Sequence, residues 1–317
     1  IRDRSVSRGL GDVYKRQMEK RTNPRDVNSC YGTIGPSQDA VDMFFMGNGL
    51  AINDPNSGYD ETGFSAVENH CYDPDYKDKK TDQNISNMYA NREPRFYASV
   101  VYQGRSWFKK WMNGNPNYIV DFSAGGGNDL SNGDNVKTGY MLGKFKNRTV
   151  NHASGDTQSW KRVSIIYRLA EFYLFYAEAL NETDPSNPDI IKYIDMVRER
   201  AGIPGYQTMN DNGIKTGIIG NYDKQFDAIQ HERYVELYCE GQRYFDIRRW
   251  MICGDKDRIG CDQTRFYGMN MKGSKSKTPG EPTSYYTRTK LENRQWTDKL
   301  YLYPIHQNVI ELANGRI

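Results

Sequence analysis

Between residues 168 and 250, apolar and small residues recur three and four apart, a spacing that α-helices bury along one side. Residues 168–182 predict one long helix. Leu169, Tyr173, Tyr176, Ala177 and Leu180 can share a broad face there, with Glu171, Glu178 and Glu182 elsewhere on the cylinder. Residues 188–201 predict a second helix, stopped by Gly202 and Pro204. Residues 231–250 predict a further long helix, with Cys239 inside it as a small core residue. Helix, short turn, antiparallel helix is a hairpin, and two in series suggest tetratricopeptide-like packing. The expected fold is mainly α: tetratricopeptide-like helical hairpins with long loop insertions and a few short strands.

The insertions lie on both sides of this block. Residues 35–46 predict a turn and a short helix, with Ser37 or Gln38 near its N-cap and Val41, Phe44 and Phe45 on its apolar face. Pro, Gly, Asn and Asp crowd residues 51–87, which predicts loops. Aromatic and β-branched content predicts strands at 95–102 and 118–122 and an extended piece at 139–145. After Trp250 the periodicity fails; 260–295 is polar, and Pro304 confines the apolar 300–306 to an extended edge. The chain thus divides into a leader at 1–17, a loop-rich ligand-side region at 18–162, a helical core at 163–252 and a loop-rich region at 253–317.

Charge removes some functions. The 317 residues sum to +3, and residues 1–17 alone carry five basic and two acidic groups, so the remainder is neutral. That leader has no apolar run and resembles translated sequencing-adapter read-through, so it is set apart from the fold. A neutral body leaves no basic footprint for nucleic acid and no acidic field for cationic partners. No run of about 18 apolar residues offers a membrane span.

Five blocks of the helical core carry a family likeness: Arg168-Leu-Ala-Glu-Phe-Tyr-Leu, Tyr176-Ala-Glu-Ala, Val197-Arg-Glu-Arg-Ala-Gly, Glu232-Arg with Glu236-Leu, and Glu240-Gly-Gln-Arg-Tyr-Phe-Asp-Ile-Arg-Arg-Trp250. In this order they resemble the SusD/RagB family, nutrient-binding lipoproteins of the Bacteroidetes outer membrane. Gly35-Pro-Ser-Gln-Asp, Asn91-Arg-Glu-Pro-Arg-Phe-Tyr and Tyr303-Pro-Ile extend the likeness from about Gly35 onward. The likeness covers the C-terminal part of such a protein; the signal peptide, lipid-bearing Cys and first helical repeats are expected upstream. Without those repeats an apolar face would stand open and solubility would suffer. The resemblance implies non-catalytic capture of an oligosaccharide, or another nutrient, at the outer cell surface. Its implied partner is a SusC-like TonB-dependent transporter, and membrane contact would come only through an N-terminal lipid anchor absent from this chain.

The residues themselves supply little catalytic vocabulary. There is no His-Glu-x-x-His, no Gly-x-Ser-x-Gly and no phosphate-binding loop. His231 reads as a packed histidine. Glu232, Glu236 and Glu240 stack at i, i+4 and i+8, which demands cationic partners and reads as framework. A hydrolase pair would need two carboxyl groups across a cleft. Asp54, Asn56 and Asp60 alternate oxygen donors and form the candidate calcium site, although an EF-hand's closing Glu is lacking. Cys253 and Cys261 are close enough in sequence to bridge in an oxidising compartment. For a glycan, Trp107 and Trp111 are the first stacking platforms, with Tyr118, Asn115 and Trp160 beside them in polar loops. Two alternatives remain: a carbohydrate-active hydrolase on a helical scaffold, and a tetratricopeptide-type protein-interaction module.

Overall fold

The computed structural model describes residues 20–27, 30–68, 81–107, 118–131, 133–146, 166–256, 260–303 and 305–312. The leader at 1–17 lies outside them. Helix α1 (Gln38–Asp42) starts where expected, with the Ser37 hydroxyl accepting from the Ala40 amide at 3.4 Å. Val41, Phe44 and Phe45 are all buried behind it. Strands β1 (Phe64–Glu68) and β2 (Thr81–Ser86) then form an antiparallel hairpin in a region whose composition reads as loop.

Helix α2 (Pro94–Ser99) corrects the strand expected at 95–102. Pro94 occupies the first helical turn, where its missing N–H costs nothing. The β-branched pair that suggested a strand survives only as β3 (Val100–Val101), paired with β4 (Met141–Leu142) inside the expected extended piece. The strand expected at 118–122 reduces to one bridge, Ser106 to Ile119.

Helices α3 (Leu169–Thr183) and α4 (Asp189–Arg200) form the expected antiparallel hairpin, followed by α5 (Tyr206–Asp211) and α6 (Tyr222–Glu236). Asn221 caps α6, its Oδ1 accepting from the Lys224 amide at 3.1 Å. Asn221→Ala is expected to lower stability by about 1 kcal/mol in chemical unfolding; no change would remove this cap from the account.

The buried face of α3 is rotated from the expected one. Ala170, Leu174, Ala177 and Asn181 turn inward together with Glu171 and Glu178, while Leu169 is 62% exposed and Tyr176 46%. Partners decide this. Glu178 receives the Arg249 guanidinium and the Trp250 indole N–H at 2.8 Å, and Asn181 accepts from Gln225 at 2.7 Å. Tyr173 and Tyr176 pack instead on Tyr193 of α4, each at 5.1 Å between ring centroids. Leu169, Phe172, Phe175 and Tyr176 are thereby left as an exposed apolar strip.

The long helix expected at 231–250 is two helices. α6 stops at Glu236, and α7 (Gln242–Arg249) restarts after a turn. Cys239 at φ +59° and Gly241 at φ +90° are left-handed, a conformation that ends helices. Lys144 supports the break by donating to the Glu236 and Tyr238 carbonyls at 3.2 and 3.0 Å. Cys239 is consequently exposed, not a core residue. Beyond it, β5 (Tyr267–Met269) pairs with β6 (Arg288–Lys290). Of the extended edge expected at 300–306, Leu300 and Tyr301 lie in a 3-10 turn (Asp298–Tyr301) and Leu302 is extended; helix α8 (Gln307–Leu312) follows. Cys253 and Cys261 are buried free thiols.

Two hydrophobic cores result. One lies among the helices, on Leu174, Ile190, Ile194, Met209 and Ile229. The other gathers the loop-rich segments around Phe44, Tyr89, Phe96, Trp107, Tyr140 and Tyr285. Helix α6 feeds both, with Ile229 in the first and Val235 in the second. Glu232, fully buried, sits between them and takes Arg198 at 3.3 Å as well as Arg95. Glu236 binds Arg95 at 2.9 Å, with Arg168 and Arg200 on its other oxygen; Glu240 binds Arg168 at 2.7 Å and Lys144. The carboxylate stripe is framework, as its spacing implies. Its cations come from α2, α4 and the flanking loops, not from Arg233, Arg243, Arg248 and Arg249 nearby in sequence.

His231 shares this junction. It stacks on Phe45 at 4.1 Å, and its Nε2 lies 2.5 Å from the Met43 carbonyl. A carbonyl only accepts, so Nε2 carries the proton. Burial pushes the ring from 6.5 down to about 4, outweighing the Met43 carbonyl and Glu232, which pull upward, while Arg198 and Arg95 add to the depression. The unfolded ring therefore binds a proton that the folded ring refuses between about pH 6.5 and 4. Stability is fully present above that window, falls through it, and is lower by ~3 kcal/mol beneath it. Unfolding followed from pH 7 to 4.5 should show this slope, and His231→Phe should flatten it; equal slopes would contradict the assignment.

Candidate functional site

The hairpin of β1 and β2 is irregular at one point. Ser65 pairs with Ile85 and Val67 with Asp82, so Gln83 and Asn84 together oppose a single residue. This is a β-bulge, and Asn84 takes the left-handed φ of +57° that Asn tolerates. The bulge sets both amide side chains at the edge of a cleft of about 470 Å³. Gln103, Gly104, Ile119 and Asp121 form a second wall; Phe64, Lys275, Ser276 and Tyr286 complete it. Gly104 is required here: its φ is +87°, and a Cβ would stand 2.8 Å from the Ile85 side chain.

Asp121 organises the cleft. Its Oδ1 accepts from Gln103 Nε2 at 2.8 Å and from the Ser123 amide and hydroxyl at 3.0 and 2.7 Å; its Oδ2 takes the Lys275 ammonium at 2.6 Å. Burial raises this carboxyl's pKa, but the Lys275, Ser123 and Gln103 bonds outweigh it and hold the group below its ordinary range. Gln103 is locked in turn, since its Oε1 accepts from the Phe122 amide at 2.6 Å. Phe64 and Tyr286 meet edge to face at 5.4 Å, and Ile119 is 54% exposed at the rim. Among the described residues, the ionic groups lining the cleft cancel as one pair. Its free capacity among the described residues is one lone pair of Asp121 Oδ2, the Asn84 amide, and exposed hydroxyl and apolar surface. Such a surface suits a neutral, hydroxyl-rich molecule with an apolar ring face.

The residues singled out in the sequence fall differently. Trp107 is 1% exposed in the loop-side core, with Arg105 and Lys146 lying 5.7 and 5.9 Å from its ring centroid; in this packing it presents no open face. Tyr118 is partly buried, donating to Asp26 at 2.7 Å and accepting from Asn128 at 3.1 Å. Its neighbour Ile119 reaches the cleft. Trp111, Asn115 and Trp160 lie outside the described residues. Two of the three candidate calcium donors are engaged locally: Asp54 pairs with Lys215 at 2.6 Å and accepts from the Asn56 backbone amide at 3.0 Å, while Asp60 accepts from the Thr62 amide at 2.8 Å. Among the described residues, no three His, Cys, Asp or Glu side chains gather as a metal site.

A second pocket, of about 660 Å³, lies between residues 45–56 and the α5–α6 segment, with His231 among its lining.

Comparison with known proteins gives a consistent likeness. A model of the SusD family (SusD_RagB) matches residues 2–315. The SusD-like protein P2 of Formosa agariphila is 37% identical over 82 residues, 26% of this chain and 16% of that protein. The solved structure of BT4246 superposes with a TM-score of 0.71 at 24% identity, covering 93% of this chain and 49% of that one. A SusD-like protein from Bacteroides fragilis, BF3747, gives 0.63 at 27% identity, covering 93% and 48%. The chain spans about half the length of these solved structures.

Proposed function

We propose, for a chain that belongs to the SusD family, that it captures a neutral oligosaccharide in the cleft around Asp121 without making or breaking a bond. It then presents that ligand, at the outer cell surface, to a TonB-dependent transporter of the SusC type. The observation that carries this reading is the cleft's composition. The Asp121–Lys275 pair closes its charge, and open amide, hydroxyl and apolar surface remain for sugar hydroxyls and a ring face. The hydrolase alternative needs two carboxyl groups facing one another, whereas among the described residues Asp121 is the single carboxylate lining this cleft.

The test is affinity electrophoresis of the chain through gels containing neutral polysaccharides, followed by a reducing-end assay on the same mixtures. Retardation by at least one polysaccharide, with no new reducing ends, is the expected outcome. Release of reducing ends would transfer the argument to the hydrolase.

A further inference from the structure

Among the described residues, the second pocket shares no lining residue with the Asp121 cleft. Its walls are apolar on Leu50, Tyr206, Met209 and Ile218. Its ionic groups among the described residues are Asp54, Lys215, Lys224 and Asp227. Asp54 and Lys215 neutralise each other at 2.6 Å, and Asp227 has a partner of its own. The Lys224 ammonium remains: it lies over the turn at Gly217 and forms no ion pair among the described residues.

An acceptor lies on the same helix. With His231 Nε2 committed to the Met43 carbonyl, Nδ1 is a lone-pair acceptor on a neutral ring that lines this pocket. Lys224, Ala228 and His231 follow at i, i+4 and i+7 on α6, so cation and acceptor face the same side. Seven residues of helix separate them by about 10 Å. We infer that this pocket is a separate binding site for a uronic acid: the carboxylate pairs with Lys224, a sugar hydroxyl donates to His231 Nδ1, and the ring lies against Ile214, the pocket-lining apolar side chain that is 46% exposed. A span of about 10 Å accommodates one or two sugar rings. This site does not depend on the neutral-glycan reading of the Asp121 cleft.

Isothermal titration of the chain with glucuronate and galacturonate, beside glucose, galactose and acetate, tests it. At least one uronate is expected to bind, with its neutral counterpart and acetate weaker by about tenfold or more. Lys224→Met, a change on an exposed helix surface, should weaken the uronate by about tenfold. His231→Phe, which keeps the stack on Phe45, should weaken it by a smaller factor. Asp121→Ala should leave uronate binding unchanged, which separates this site from the cleft. The assignment is overturned if neither uronate binds, if acetate binds as well as a uronate, if Lys224→Met retains the affinity, or if Asp121→Ala abolishes it.

Discussion

Glu232→Ala is expected to destabilise the fold by about 3–5 kcal/mol, seen as a lowered urea midpoint with an unchanged slope. Glu232 is fully buried, and so is its partner Arg198. Arg198 also lies over Phe45 at 4.7 Å and Tyr206 at 4.1 Å, and donates to the Gly49 carbonyl at 2.7 Å. Removing the carboxylate leaves that guanidinium buried without its counter-charge, and leaves Arg95 with Glu93 and Glu236 alone. Truncating one partner of a buried pair costs more than the pair contributes, because the other charge is stranded. The helical core and the loop-side core meet here, so loosening should reach both. A loss under about 1 kcal/mol, the range of an exposed pair, would show that the junction is not held electrostatically.

Asp121→Ala is expected to weaken oligosaccharide binding by about 1.5–3 kcal/mol, the range for a hydrogen bond to a charged group, or roughly tenfold to a hundredfold in Kd. Two effects add. The ligand loses an ionised acceptor, and Lys275 and Gln103 lose the group that positions them. Gln103 keeps its bond from the Phe122 amide, so the wall is expected to stay in place and circular dichroism to be unchanged. Undiminished binding in the variant would move the ligand away from this cleft.

The helical hairpin of α3 and α4 was legible in the sequence because local periodicity and stop signals suffice for it. The side α3 buries was not. Apolarity favoured Leu169 and Tyr176, while the fold turned Glu178 and Asn181 inward to meet Arg249, Trp250 and Gln225, partners 44 to 72 residues away. The break after Glu236 was signalled by Gly241, but the apolar spacing on either side masked it. Residues 95–102 misled in the opposite way: the whole stretch read as strand, but Pro94 starts a helix through Ser99 and only Val100 and Val101 remain as strand. Framework carboxylates were readable because like charges stacked at helical spacing need cations; which cations answered was a tertiary matter. The cleft left the weakest trace. Its residues come from segments between 64 and 286, and its bulge at Gln83 and Asn84 depends on a pairing register. Tyr118 was one residue from the wall that Ile119 and Asp121 form. Trp107 met the composition of a platform and went to the core.

The most direct measurement is a crystal structure of the chain with a neutral oligosaccharide that retards it in the gel. A sugar ring within about 4–4.5 Å of Phe64, Ile119 or Tyr286, with a hydroxyl at hydrogen-bond distance from Asp121 or Asn84, is the expected result. The same oligosaccharide seated elsewhere on the chain, with the Asp121–Lys275 cleft holding only water, would contradict the assignment.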